Sequence, residues 1–316
     1  MRPKISIIIP VYNRERAVVR AINSIRGTEA EIIVVDDGST DGSADAARRA
    51  LAESGHPGEV LTQNNAGPGA ARNTGSAKAQ GAYLAFLDSD DYWFSHTLPH
   101  LLAAIAQSND VALLFLQHQD FAADAPISAP DATLQIEHFP HVVAAAGYTR
   151  HIRFASCNAV IRRNVFVALG GFTTQVNAAE DTDLFLRAGG LGLGCALLRA
   201  PVMMAHQVEG TDQLTGDVTN VRQGLAFLLA QEKAGHYPGG RSGNPTRARL
   251  LAHSVSHATR IAFAKGHPLQ AYAIYFRHLP TLIRGRAWHW GLRLPLIPLL
   301  HLLRPRNFAF RLRPKR

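Results

Sequence analysis

Short β-branched runs that each end in polar or acidic residues, with helical periodicity between them, constrain this chain's fold most. The first, Lys4-Ile5-Ser6-Ile7-Ile8-Ile9-Pro10, is stopped by proline and by the turn Tyr12-Asn13-Arg14. From Glu15 to Ile25 the apolar residues Ala17, Val18, Ala21, Ile22 and Ile25 fall three or four apart, the stripe of an amphipathic helix. The second run, Ile32-Ile33-Val34-Val35, leads into Asp36-Asp37-Gly38-Ser39-Thr40-Asp41 and then an Ala-rich helical stretch through Leu51. The third, Tyr83-Leu84-Ala85-Phe86-Leu87, leads into Asp88-Ser89-Asp90-Asp91. Runs that are apolar throughout imply strands covered on both faces. The expected fold is therefore α/β, a mostly parallel central sheet with right-handed crossovers, flanked by helices.

Ligands of such sheets bind beyond the C-terminal ends of the strands. Asp36, Asp37, Asp88, Asp90 and Asp91 all fall at such ends, so the fold gathers them on one edge. Three carboxylates in four residues repel one another unless a cation sits among them, and a hard divalent ion with oxygen ligands is the natural candidate. Turn formation and helix capping by Asp and Ser are the plainer reading of each cluster alone. Their convergence on one edge is harder to assign to turns.

In order and spacing, Ser6 to Asn13, Val35 to Asp41, Ala71-Arg72-Asn73, Gly81 to Asp91, Gly170-Gly171-Phe172 and Glu180-Asp181 resemble a family 2 glycosyltransferase. The resemblance covers about residues 4 to 215. It implies the GT-A nucleotide-sugar-binding fold and inversion of the anomeric centre. On this resemblance Pro10, Tyr12 and Asn13 line the nucleotide pocket, and Asp37 meets the nucleobase, where a carboxylate accepts the uracil N3 proton. Asp36, the adjacent carboxylate, would then hold loop geometry. Arg72 falls near the nucleotide, its fork suited to phosphate or to a buried carboxylate, with an ion pair on a helix face as the alternative. The metal-binding pattern falls on Asp88 and Asp90, with Asp90 ligating directly and Asp91 orienting it. Mg²⁺ or Mn²⁺ there stabilises charge growing on the departing pyrophosphate.

The family keeps its general base at Glu180-Asp181. The resemblance makes Asp181 the base and turns Glu180 toward the acceptor, whereas acids opening a helix are the plainer reading. The stretch Phe154 to Arg163 resembles the acceptor side of the cleft; its Ser156 and Asn158 suit either sugar or a strand edge. His206 falls where some relatives place a histidine near metal or pyrophosphate, against the common structural role of a lone His.

Other classes fit less well. Asn64-Asn65-Ala66-Gly67 resembles a stretch of short-chain dehydrogenases, but residues 10 to 16 contain no glycine for a dinucleotide turn. Tyr83, Tyr92 and Tyr148 also have no Lys four residues on. A sugar-nucleotide pyrophosphorylase would need a Gly-rich, Lys-bearing loop at the same place. Retention of Asp37, Asp90 and Asp181 argues against a non-catalytic nucleotide- or sugar-binding protein on the same scaffold. A polyprenyl-phosphate glycosyl synthase, with phosphate as nucleophile, shares the early motifs.

Charge divides the 316 residues. Residues 1–230 contain 17 Lys and Arg against 23 Asp and Glu, while 231–316 contain 16 against one. Breakers crowd Gly235 to Pro245, which suggests a linker between a GT-A domain, 1–230, and a helical basic C-terminal extension, 231–316. Arg247 to Lys265 and Pro268 to Arg284 read as two helices, and Ala122 to Thr133 as a surface loop. The apolar stretch Trp288 to Leu303 is interrupted by Arg293, two prolines and His301, which excludes a spanning helix. Its tryptophans and the following arginines suit an anchor on an anionic membrane surface. Packing on the acidic domain or in an oligomer is the rival, and nucleic acid is set aside for want of a recognition motif. Two cysteines make no framework, and no signal-peptide pattern opens the chain, so the expected place is the cytoplasm, peripheral to the inner membrane face. The expected activity is inverting, metal-dependent transfer from a nucleotide sugar, UDP-linked, to a hydroxyl of a glycan or lipid-linked acceptor in cell-surface polysaccharide synthesis.

Overall fold

The computed structural model describes residues 4–27, 29–107, 111–121, 133–140, 155–189, 192–200, 203–207, 217–240 and 245–285. The chain opens as β1 (Ile5–Val11), α1 (Glu15–Ser24), β2 (Ala30–Asp36), α2 (Ser43–Ser54), β3 (Gly58–Thr62), α3 (Pro68–Lys78) and β4 (Tyr83–Phe86). It continues through β5 (Tyr92–Trp93), α4 (Thr97–Gln107), β6 (Val111–Leu116), β7 (His118–Phe121) and β8 (Gln135–Phe139). A 3-10 turn at Ser156–Asn158 precedes β9 (Ala159–Arg162), α5 (Arg163–Ala168), α6 (Glu180–Ala188), β10 (Gly194–Ala200) and β11 (Met204–Gln207). Four helices follow: α7 (Val218–Ala234), α8 (Pro245–Ala264), α9 (Pro268–Arg277) and α10 (Leu279–Arg284).

One eight-stranded sheet has the order β3-β2-β1-β4-β9-β6-β10-β8, and β5, β11 and β7 form a small second sheet. β1 is parallel to β2 and β4, β2 to β3, and β6 to β10. Sequence periodicity does not reveal that β9 runs antiparallel between β4 and β6, or that β8 runs antiparallel at the edge. A strand with only three apolar residues, Ala159 to Ile161, reads the same in either direction. The reversal matters, because it brings the N-terminal end of β9 to the edge where β4 and β6 finish.

Alternation along the strands builds a core on each face. Ile7, Ile9, Ile32, Val34 and Val160 pack with Val18, Ile22 and Leu98 on one side. Ile8, Ile33, Val35, Phe86 and Ile161 pack with Phe172, Leu184 and Phe185 on the other. Gly75 of α3 lets that helix lie on the sheet, since a Cβ there would come within 2.6 Å of Ile8 Cγ2. Gly75→Val is expected to cost about 1–3 kcal/mol by overpacking, measured by urea denaturation.

The C-terminal helices have their own core, in which Val221 and Leu225 of α7 pack with Ala252, Val255, Ala258, Ile274 and Leu282. The expected boundary at 230/231 thus falls inside α7, which groups with the helices after it. The breaker cluster is also no loose linker in its described part. Tyr237 is buried and donates to Asp183 Oδ1 of α6 at 3.0 Å, while Arg247 donates to the carbonyls of Pro238 and Gly240, both at 2.7 Å. Of the two expected helices, the first is α8 and the second breaks at His278 into α9 and α10. Residues 122–132 of the expected surface loop, and the expected anchor at 286–316, lie outside the described residues. Among the described residues no helix is long and apolar enough to cross a membrane.

Candidate functional site

Parallel pairing of Val11 with Asp36 and of Ile8 with Phe86 aligns the ends of β1, β2 and β4. The segment after β1 is then laced to the one after β2. Asn13, at φ 51°, accepts at Oδ1 from Thr40 N at 2.8 Å, and its own N–H donates to Ser39 Oγ at 2.9 Å. Arg14 N donates to Ser43 Oγ at 2.8 Å. Asn tolerates the left-handed conformation better than most residues. Tyr12, 47% exposed, stands on this edge, and Pro10 beneath it is half-buried.

Asp36 and Asp37 are both buried but differ in partners. Asp37 Oδ1 accepts from Gln63 Nε2 at 2.8 Å and Ala66 N at 2.9 Å, and its Oδ2 accepts from Gly67 N at 2.9 Å. It therefore holds the loop before α3, the role that sequence reasoning offered to Asp36. Asp36 Oδ1 is buried with no hydrogen-bond partner.

Arg72 of α3 occupies the centre of the site. Its Nη1 donates to Glu180 Oε1 at 2.8 Å and its Nη2 to Asp88 Oδ1 at 2.7 Å, with the guanidinium carbon 5.4 Å above the Phe172 ring. The fork thus meets two carboxylates. Burial alone would lower its pKa, but Asp88 and Glu180 outweigh that and hold it firmly charged. The sequence places Arg72 there by close packing: a Cβ on Gly69 would meet Thr173 O at 2.7 Å. Neighbouring Asn73 clamps the backbone of Phe172, donating to its carbonyl at 2.8 Å and accepting from its N–H at 2.9 Å.

Asp88 and Asp90 are half-buried, while Asp91 is fully enclosed and donates its N–H to Asp88 O at 3.0 Å. The Asp90 carbonyl accepts from Arg20 Nη2 at 3.1 Å. Ligand atoms of Asp88, Asp91 and Cys157 lie within 4.8 Å of one another. Cys157 reaches this edge because β9 is antiparallel, and burial, then Asp91 and Asp88, push its thiol pKa up. Asp90, expected to be the direct ligand, is not in that group of three.

Glu180 and Asp181 open α6 behind Ala179, which holds φ 71°. Asp181 Oδ1 accepts from Thr182 N at 2.5 Å and Thr182 Oγ1 at 3.2 Å. Burial pushes both carboxyls above their usual range; Asp181 adds to this at Glu180, whereas Arg72 and, at Asp181, the Thr182 bonds oppose it. The pair therefore sits near a fixed cation yet resists ionisation, as suits a base working near neutral pH.

Asn158 is spent on structure, accepting from Ala155 N at 3.1 Å and donating to Leu116 O at 3.1 Å, so the sugar contact considered for it has no support. Ser156 is buried beside it. The His206 backbone lies in β11 opposite Asp120, but its side chain is outside what is described.

The profile described as glycosyl transferase family 2 matches residues 6–170. The chain belongs to that family. Family 2 relatives include an uncharacterized glycosyltransferase of Nostoc sp., 40% identical over 114 residues, 35% of either chain. The O-antigen biosynthesis protein RfbC of Myxococcus xanthus is 25% identical over 90% of this chain and 21% of its own length. The poly(ribitol-phosphate) beta-N-acetylglucosaminyltransferase TarS of Staphylococcus aureus is 33% identical over 42% of this chain and 25% of its own. The chain thus spans 35%, 21% and 25% of the length of these three relatives. Two solved structures share the fold. TarS residues 1–349 with UDP has a TM-score of 0.54 at 18% identity, covering 91% of this chain and 92% of that one. A mannosyltransferase of Pyrobaculum calidifontis with GDP-Man and Mn²⁺ has a TM-score of 0.59 at 19% identity, covering 97% and 89%.

Two features of this family 2 chain escaped sequence reasoning. A Cβ on Gly224 of α7 would lie 2.3 Å from Ala178 O, so α7 sets the position of the turn that carries Glu180. Arg187 pairs with Asp183 at 2.8 Å and donates to the carbonyls of Leu169 and Gly171, fixing the turn that leads there. A glycine inside an apolar helical pattern was the readable signal for the first. Gly224→Val is expected to displace the turn and lower transfer at least tenfold, read as kcat with nucleotide affinity little changed.

Proposed function

We propose that this protein is an inverting glycosyltransferase that moves a sugar from a nucleoside-diphosphate donor, UDP-linked, to a hydroxyl of a glycan or lipid-linked acceptor in cell-surface polysaccharide synthesis. The observation that carries this reading is the Arg72 bridge. It ties Asp88, on the acidic edge, to Glu180, which is next to the proposed base and 108 residues away in sequence from Arg72. One cation thereby sets the spacing between the groups that receive the donor and the group that activates the acceptor.

In the proposed reaction, Asp181 takes the proton of the acceptor hydroxyl as its oxygen attacks the anomeric carbon. The bond from that carbon to the phosphate oxygen breaks on the opposite face, and its electron pair leaves with the nucleoside diphosphate. Pro10, Tyr12, Asn13 and the Asp36–Asp37 pair are assigned to the nucleotide. Asp88 and Asp90 are assigned to Mg²⁺ or Mn²⁺, with Asp91 behind them and His206 as a further candidate. The clustering of Asp88 and Asp91 donors fits a hard cation, while the protonated Cys157 thiol does not favour a soft one. When bound, such an ion would neutralise charge on the leaving diphosphate.

Support for the donor comes from neighbours solved with UDP and with GDP-Man and Mn²⁺, and support for the acceptor class from the names of RfbC and TarS. Residues 286–316 are assigned to an anionic membrane surface on the cytoplasmic side, with the helices from α7 onward as the extension that carries them. Proton NMR of slow donor hydrolysis tests the reaction class. With UDP sugars of α configuration, the β anomer of the free sugar should appear first; initial release of the α anomer contradicts inversion.

A further inference from the structure

We propose that the outward face of α9 and α10 is a docking surface for an anionic phospholipid bilayer. Both helices rest on α8 through Ala271, Ile274, Tyr275 and Leu282, which are buried. At about 100° per residue, Leu269 and Phe276, seven apart, project from the side of α9 opposite Ala271, Ile274 and Tyr275. They are 83% and 60% exposed, and Ile283, seven further on in α10, is 57% exposed. The other exposed large apolar side chains among the described residues are Tyr12 and Val167, each far off in sequence. Three bulky apolar groups within fifteen residues therefore form a concentration rather than ordinary scatter.

The surrounding charge identifies the occupant. Arg277 and Arg284 are exposed at the ends of these two helices and Lys265 in the turn before α9, and from Lys233 to residue 316 the sequence contains no Asp or Glu. A second copy docked on this face would set cations against cations. Anionic headgroups complement them, and Leu, Phe and Ile suit the boundary between headgroups and acyl chains. The partner is the one assigned to residues 286–316, but the surface consists of residues outside that segment and can fail or stand separately.

Sedimentation of the full chain with vesicles of phosphatidylcholine, with and without phosphatidylglycerol, tests this. Wild type should sediment with the anionic vesicles only. The combined variant Leu269→Glu, Phe276→Glu and Ile283→Glu should lose about a hundredfold in partitioning, from lost insertion and added repulsion, with nucleotide binding intact as proof of fold. The variant Trp288→Ala and Trp290→Ala reports on the other segment. Wild-type sedimentation by the helix-face variant overturns the proposal, and if the tryptophan variant alone falls off, binding belongs to residues 286–316. A dimer that the helix-face variant turns into monomers, with vesicle binding unchanged, overturns it in favour of a second copy.

Discussion

Asp181→Asn should lower kcat for sugar transfer by about a thousandfold or more while leaving donor affinity nearly unchanged, because it removes the proposed proton acceptor but not the residues proposed to hold the nucleotide. Near-wild-type turnover would remove Asp181 from the base role. The same substitution carries a stability signature whose sign follows from the raised carboxyl. A half-buried acid with a folded-state pKa above its unfolded value is harmless while protonated. It becomes destabilising as pH rises from about 4 toward the folded value, where only the unfolded chain ionises freely. Asp181→Asn should therefore leave Tm unchanged in acid and raise it near neutrality. Loss of function with gain of stability is the mark of a group kept for chemistry. For the wild type, activity should fall on the acid side with an apparent pKa above the ordinary carboxylate range.

Arg72→Ala should be the most damaging single change at the site. It leaves the carboxylates of Asp88 and Glu180 facing each other with their shared cation gone, and removal of one partner from a buried ion pair costs about 3–5 kcal/mol. Arg72→Lys should recover part of the stability and little activity, since one ammonium cannot span two carboxylates 2.7 and 2.8 Å from separate nitrogens. Coupling is measurable. Combining Arg72→Ala with Glu180→Gln should cost less than the sum of the two single changes in urea denaturation. Strict additivity would mean that the bridge does not organise the site.

Much of this arrangement is legible from residues alone, for identifiable reasons. Apolar runs such as Ile32 to Val35 announce buried strands, and acids at their exits mark the working edge of a parallel sheet. Order and spacing of the motifs point to the family, and the profile match confirms that membership. What escaped depends on contacts distant in sequence. Nothing local tells Arg72 to pair with Glu180, 108 residues on. Asp36 and Asp37 differ only in whether Gln63, Ala66 and Gly67 reach them. Gly235 to Gly240 reads as a break because composition reports backbone freedom, whereas Tyr237 finds Asp183, 54 residues away, and turns the stretch into a fastening. The direction of β9 is hidden because three apolar residues and an arginine do not encode which way a strand runs.

The measurement that bears most directly on the central claim is calorimetric titration of the wild-type chain with UDP, GDP, dTDP and CDP, each with and without Mn²⁺, repeated on Asp90→Asn. Nucleotide-sugar chemistry at this edge predicts that UDP binds best, that Mn²⁺ strengthens it at least tenfold, and that Asp90→Asn abolishes the Mn²⁺ effect. Heat from none of the four nucleotides, with or without the metal, would contradict a transferase working at this site.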